Sequence, residues 1–569
     1  MSDFSNYRIM KHRHILLSLA AAAGITAISA APSNKKEVSR NLDIFTSIYK
    51  TLNSMYVDSI DANKSITTAI NAMLDEIDPY TEYIPEEMQE DFMTISTGEF
   101  GGIGAYIGQN KAKETFVTEP QEGTPSAKSG LKAGDVFLTI DGDSVRTLGS
   151  DKVRDRLRGQ AGTKLHVTVR RPLVSGDTTL NIDITRAKIE VPTMPYYGVV
   201  RDTVGYIQLA TFNEKSYPEV KKAVTELIAD PRVKGLVLDL RGNGGGLLES
   251  AVNIVSLFVP KGTEVLRTRG RAVTNEKTYR TTAAPVAPTT PLAILIDDGS
   301  ASSSEIVTGA LQDLDRAVII GERSYGKGLV QSTFPLPYNG IVKVTTQRYY
   351  IPSGRLIQAI DYSHRNPDGS VARTPDSLTN IFYTRAGRQV RDGGGITPDI
   401  KIEYPEISRL TYNIVAGNHH FDFATQYAAE HPEIPAPDKF EMTDEIYDEF
   451  KKSIDPATIE YDKVCETIID QLEKAADREG YLDENVKTQI AELRKSLQHD
   501  LDKDLDTQRE RISEYLVPEL LRRYYYNRGA VAYGIRFDPA VARAAQLFGT
   551  PADYTTILSP ADKTETTKK

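Results

Sequence analysis

Three stretches of this chain share one pattern: a short apolar run, a glycine-bearing turn, and then, in two of the three, a helical periodicity. Leu236-Val-Leu-Asp-Leu240 runs into Gly242-Asn-Gly-Gly-Gly246, and Leu292–Asp297 turns at Gly299 before Ile306, Val307, Ala310 and Leu311 mark a helix face. Ala317–Ile320 runs into Gly321-Glu-Arg-Ser-Tyr-Gly326-Lys327-Gly328. Short apolar strands alternating with helices argue for an α/β unit with a largely parallel sheet. The pattern predicts strands at Gly205–Thr211, Gly235–Leu240, Leu292–Asp297 and Ala317–Ile320. It predicts helices at Tyr217–Ile228, Leu247–Phe258 and Ser303–Asp313, and a β-rich stretch from Gln331 through Val342–Tyr350.

The rest of the 569 residues calls for further domains. In residues 36–90, Leu42, Phe45, Ile48, Tyr49, Leu52 and Tyr56 recur at helical spacing, as do Ile66, Ile70, Met73, Leu74 and Ile77, and both sets read as packing faces. Residues 95–190 change to a glycine-rich turn, Phe100–Ile107, followed by short strands, a short helix from Pro125 and a hairpin turn at Asp141-Gly142. Residues 406–569 are helical and charged, with Val486, Ile490, Leu493, Leu497, Leu501 and Leu505 predicting one long amphipathic helix. The lone cysteine, Cys465, reads as a buried small hydrophobe. Arg8, Lys11 and Arg13 ahead of the apolar run Ile15–Ala31 read as a secretory signal peptide, so the protein is expected to be exported. A net charge of −10 argues against a nucleic-acid partner.

The chemistry concentrates at the glycine turns. Ser302 sits where a strand meets a helix, where unpaired N–H groups and the helix dipole favour developing negative charge, and the Ser303 N–H is placed to bind an oxyanion. Ser302 and Glu305 also read as a plain capping box, and Ser300, Ser303 and Ser304 compete for the nucleophile's role. Lys327 lies in a tight turn, and a lysine serves as a general base only when burial lowers its pKa. Gln331, on the same face if the chain is extended, could hold the amine without charging it. The segment departs from a phosphate-binding loop at Gly328, and no helix follows, which argues against a nucleotide. None of the eight histidines sits in a motif, so a serine–histidine arrangement lacks its base. The Gly242–Gly246 turn could supply the other half of an oxyanion hole, or be a mere tight turn.

The order of elements in 95–190 closely resembles a PDZ domain, which takes a peptide C-terminus as an added strand and holds its carboxylate on a glycine-rich loop, here Gly101, Gly102, Ile103 and Gly104. Taken with IDPYTEYI (77–84), FGGIGAYI (100–107), LDLRGNGGG (238–246), GSASSSEI (299–306), GERSYGKGLVQ (321–331) and GGGITPDI (393–400), the chain resembles the C-terminal processing peptidases of serine peptidase family S41. The resemblance implies a multidomain α+β chain. Its parts are a signal peptide (1–31), a helical N-terminal region (32–94), a PDZ-like domain (95–190), an α/β peptidase core of ClpP/crotonase-like type (191–405), a helical C-terminal domain (406–560) and a disordered tail (561–569). It implies a serine endopeptidase that cuts proteins near their C-termini, with Ser302 as nucleophile, Lys327 as base, Gln331 as orienter, and Ser303, Gly244 and Gly245 at the oxyanion. Ser303 stands where the family usually has alanine. No cofactor or metal is implied, the partners are proteins or peptides with accessible C-termini, and homo-oligomerisation is left open. The compartment implied is the periplasm, or the outer face of the inner membrane if the signal is retained.

Overall fold

A computed structural model describes residues 34–173, 176–271, 276–366, 369–459, 464–497 and 499–560. The expected signal peptide and C-terminal tail lie outside the described residues. Among them, no helix is long and apolar enough to cross a membrane.

Helices α1 (Asn34–Met55) and α2 (Ala62–Asp75) open the described chain, and Asp61 caps α2 by accepting the Lys64 N–H at 3.0 Å. The expected packing face of α1 is not buried: Leu42, Phe45, Ile48 and Leu52 all face solvent. Periodicity fixes the helix and its apolar stripe but does not supply a partner for it. Asp78 then accepts the N–H groups of Tyr80 and Thr81, turning the chain into strand β1 (Glu82–Ile84), which is followed by helix α3 (Gln89–Thr97).

The PDZ unit contains β2 (Glu99–Gly102), β3 (Ala105–Gln109), β4 (Thr115–Pro120), β5 (Val136–Ile140), helix α4 (Ser150–Leu157), β6 (Lys164–Arg171), β7 (Thr178–Thr185) and β8 (Ala187–Glu190). Its main sheet runs β3-β4-β5-β6-β7, which leaves β3 at an edge, while β2 pairs with β8. Ile103, Val117, Phe137, Val153 and Leu157 form its core.

The second α/β unit comprises β9 (Tyr196–Val200), β10 (Val204–Gln208), α5 (Ser216–Ala229), β11 (Gly235–Asp239), α6 (Leu248–Val255), β12 (Glu264–Arg269), β13 (Lys277–Arg280), β14 (Leu292–Ile296), α7 (Ser303–Asp313), β15 (Val318–Gly321), β16 (Leu329–Pro335), β17 (Ile341–Tyr350) and β18 (Ile400–Lys401). Its main sheet runs β9-β10-β11-β14-β15-β18, with every pair after the first parallel. Alternate residues of each strand supply two separate cores. Leu236, Leu238, Leu292 and Ile294 pack under α5, α6 and α7, while Val237, Ala293 and Leu295 pack on the opposite face. A second sheet joins β1, β17, β12 and β13, with β16 paired to β17, and so carries the N-terminal turn across to the core.

The opposite face is covered by chain from far downstream. The C-terminal helices are α8 (Arg409–Ala416), α9 (His419–Glu430), α10 (Asp444–Ser453), α11 (Val464–Arg478), α12 (Glu484–Ser496), α13 (Leu501–Thr507), α14 (Arg509–Gly534), α15 (Pro539–Gly549) and α16 (Pro551–Ile557). Val541, Ala544, Leu547 and Phe548 of α15 pack against the main sheet, where the Phe548 ring lies on Gly235 with no room for a Cβ. The long helix expected through Val486–Leu505 is two helices, because Asp500 caps a new start by accepting the Lys503 N–H. Cys465 is exposed, not buried: the buried residue of α11 is Ile469, one turn further along the helix.

The PDZ unit touches both flanks. Phe116 meets Phe421 of α9 edge-on at 5.3 Å, and Glu119 accepts the Asn527 N–H where α14 breaks at Tyr526 (φ 53°, ψ −169°). On the other side, Asp91 of α3 pairs with Arg158.

Candidate active site

Strand β14 ends inside the sheet and α7 begins at Ser303, so Ser302 is held at the rim between them, half-buried. Its backbone is at φ 56°, ψ −112°. An ordinary N-cap sits in the extended region, and a positive φ in a residue with a Cβ is a strained conformation of the kind found at functional sites. Three of the four serines here are consumed by the neighbouring loop. Ser300 Oγ donates to Leu240 O at 2.8 Å, Ser303 Oγ to Gly246 O at 2.9 Å, and Ser304 Oγ to Asn243 O at 2.7 Å. The Ser302 hydroxyl donates to no acceptor among the described residues. The hydroxyl that Ser303 carries in place of alanine is therefore satisfied, and it ties the Ser302 turn to the Gly242–Gly246 loop.

That loop approaches closely because it lacks side chains. A Cβ on Gly245, whose φ is +102°, would lie 2.8 Å from Ala301 O and 3.0 Å from Ser303 N. The Gly245 N–H donates to Asn243 Oδ1 at 2.9 Å. Of the three N–H groups expected at the oxyanion, that of Gly245 is thus engaged, while those of Gly244 and Ser303 have no hydrogen-bond partner among the described residues. The loop's base is fixed from behind: Arg241 pairs with Asp239 and, at 2.7 Å, with Asp538 at the start of α15, while Tyr206 donates to Asp239 at 2.6 Å.

Glu305, which sequence reading takes only as a helix cap, does more. Its fully buried carboxylate accepts the Ser302 N–H at 2.9 Å, as a capping box requires. It also accepts the Lys327 N–H at 2.9 Å, the Gly326 N–H at 2.7 Å and the Ser324 hydroxyl at 2.5 Å. Burial outweighs these four donors and raises its pKa to about 7. Tyr349 of β17 repeats the link on the carbonyl side, donating to Lys327 O at 2.7 Å with Ser302 O at 3.3 Å. Two buried side chains thus tie the backbone of the serine turn to that of the lysine turn.

The amine of Lys327 is not bonded to Ser302 in this structure. It lies over the ring of Tyr80, 4.1 Å from the centroid. Burial, then the nearby Lys343, lowers its pKa to about 8. Gln331 does not bond to the amine: its side chain donates to Thr345 Oγ1 at 3.2 Å, and Lys327 lies in the turn ahead of β16, outside the extended run on which a shared face depends.

In the PDZ unit, a groove of about 290 Å³ runs between the free edge of β3 and α4, lined by Phe100, Ile103, Gly104, Ile107, Leu157 and Arg158. Of the four loop residues expected to hold a carboxylate, Ile103 and Gly104 line this groove, and their N–H groups have no partner among the described residues. Gly101 and Gly102 lie in β2, paired with Lys188 and Ala187. Arg154 and Arg158, both on the groove's rim, carried no sequence signal. Tyr80 lies in a family-like stretch and Tyr349 in the expected β-rich stretch, but nothing in their spacing marks them as partners of the lysine. Among the described residues, no group of three or more His, Cys, Asp or Glu side chains is placed to hold a metal.

Comparison with known proteins agrees with this layout. Family models match residues 203–371 as peptidase family S41, 116–171 as a PDZ domain, and 410–548 as the C-terminal helical domain of a PDZ-protease. A carboxy-terminal-processing protease of Bartonella bacilliformis is 38% identical over 345 residues, 60% of this chain and 78% of that protein. A CtpA-like serine protease of Staphylococcus haemolyticus is 30% identical over 463 residues, covering 80% of this chain and 89% of its own. The chain belongs to peptidase family S41 and is a serine protease of the carboxy-terminal-processing type. Among solved structures, a photosystem II D1 C-terminal processing protease is 27% identical over 63% of this chain and 86% of its own, with a TM-score of 0.35.

Proposed function

We propose that this protease cuts substrates near their C-termini with Ser302 as nucleophile and Lys327 as general base, the substrate tail being captured by the PDZ groove. The observation that carries the reading is the selective consumption of hydroxyls: Ser300, Ser303 and Ser304 are each bonded to a loop carbonyl, while Ser302 is left to react. The tail adds to the edge of β3, its carboxylate taken by the Ile103 and Gly104 N–H groups beside Arg158. For catalysis the neutral Lys327 amine leaves Tyr80 and takes the Ser302 proton as Oγ bonds to the peptide carbonyl. The Gly244 and Ser303 N–H groups receive the oxyanion, each such donor contributing roughly 3 kcal/mol to barrier lowering in known hydrolases. Collapse breaks the C–N bond as Lys327 returns the proton to the leaving amine, and water then releases the acyl group from Ser302. Gln331 positions β17 through Thr345 rather than the amine directly. The leader-like sequence at residues 1–31 supports work in the periplasm or at the outer face of the inner membrane.

The test compares wild type, Ser302→Ala and Lys327→Ala on a defined protein with a flexible apolar tail, with fragments read by mass spectrometry. Cuts near the tail by wild type, and none by either folded variant, are expected. Cleavage by either variant overturns the dyad, and cleavage indifferent to an amidated tail overturns PDZ capture.

A further inference from the structure

Lys327 Nζ makes no hydrogen bond or ion pair among the described residues; its partner is the face of Tyr80. That ring is held from three directions. Asp78 accepts the N–H groups of Tyr80 and Thr81 at 2.8 and 2.7 Å. The Tyr80 hydroxyl lies 3.0 Å from that of Tyr362 and 3.3 Å from that of Tyr325, and the Tyr362 ring packs edge-on against it at 5.7 Å. An aromatic face attracts an ammonium through its quadrupole but has no such hold on a neutral amine. A carboxylate in the same place would hold the proton on the lysine far more strongly.

We propose that Tyr80 is a positioning residue that parks the protonated base, holding the ammonium form of Lys327 off Ser302 and releasing the amine once its proton has passed to solvent. Approach to the nucleophile is thereby conditional on deprotonation, so the charged base does not occupy the cleft. The inference rests on the dyad reading above. The other charged groups facing this amine are Lys343 on β17, Glu82 on β1, Asp78 in the preceding turn and Glu305 on α7. Glu82 is already paired with Lys343, and Glu305 is engaged by four donors, so neither carboxylate substitutes for the ring.

The test keeps the shape of the ring and weakens its face. Position 80 is replaced by phenylalanine, then by mono-, di- and trifluorinated phenylalanine, and the pH dependence of kcat/KM is measured on a tailed peptide alongside the melting temperature. Tyr80→Phe is expected to keep the acidic limb where it is. Successive fluorines are expected to move it stepwise to lower pH, by about half a pH unit in total. Tyr80→Leu, which removes the face, should move it at least as far. An unmoved or upward-moving limb across the fluorinated series overturns the proposal, as does a shift in Tyr80→Phe equal to that of the trifluorinated variant. Should the limb stay fixed while Lys327→Ala is inactive, parking falls and the dyad stands; an active Lys327→Ala removes both.

Discussion

Changing Glu305 to glutamine would keep its shape while exchanging one acceptor oxygen for an NH2 group. That group would face either the N–H groups of Ser302 and Lys327 or those of Gly326 and the Ser324 hydroxyl. Because the Ser324 hydroxyl can turn to accept, at least one buried N–H would then face another donor, a loss of about 1–3 kcal/mol, measurable by chemical denaturation. Because both reacting segments hang on this carboxylate, Glu305→Gln is also expected to lower kcat about a hundredfold. Lys327 gives the pH response. In the proposed dyad it works as a base when deprotonated, and its pKa of about 8 is below the ordinary lysine range, so kcat/KM should rise with pH up to about 8 and level off above it. A steady-state profile checks this; activity that falls through that range would contradict a neutral amine as base.

Among the elements, the segments with a strong two-residue or helical period were legible from the sequence. Helix α7 begins and ends where its apolar face predicted, and β11 and β14 fall within a residue of expectation, because a fully buried strand leaves little choice of side chain. What could not be read was what each face meets. The stripe on α1 and the exposed Cys465 carry the same local signal as buried positions, and the run from Lys327 to Gln331 does not show that the strand begins only at Leu329. The family resemblance singled out Ser302 among the four serines; what it could not show is that the hydroxyls of Ser300, Ser303 and Ser304 are each bonded to a carbonyl of the neighbouring loop. At this scale, Gly245→Ala is a sharp test: its Cβ would meet Ala301 O at 2.8 Å from a backbone at φ +102°. It should abolish peptide cleavage and lower the melting temperature by several degrees, about what 1–2 kcal/mol does to a domain. A well-folded, active Gly245→Ala would mean that the loop stands away from the nucleophile.

Across the whole molecule, distant parts of the chain converge on the cleft. The N-terminal turn supplies Tyr80, and the C-terminal helices supply Asp538, whose carboxylate reaches Arg241 behind the Gly242–Gly246 loop and also caps α15 through the Ala540 and Val541 N–H groups. Asparagine caps a helix about as well as aspartate, so Asp538→Asn separates the two duties. The melting temperature should hold within a few degrees while kcat falls several-fold at unchanged KM. Equal losses in both would assign Asp538 to the fold alone. The Phe116–Phe421 contact serves the PDZ unit instead. Phe421→Ala should cost about 3 kcal/mol or more and open the boundary between PDZ and helical domains to limited proteolysis.

The rear layer of the main sheet also has a consequence in time. Strands β10 to β15 are made well before α15, whose Val541, Leu547 and Phe548 close off one side of that sheet. Until that segment is in place, Val237, Ala293 and Leu295 have no cover on their side of the sheet. The sheet that carries the Ser302 and Lys327 turns is thus completed only by residues near the far end of the chain.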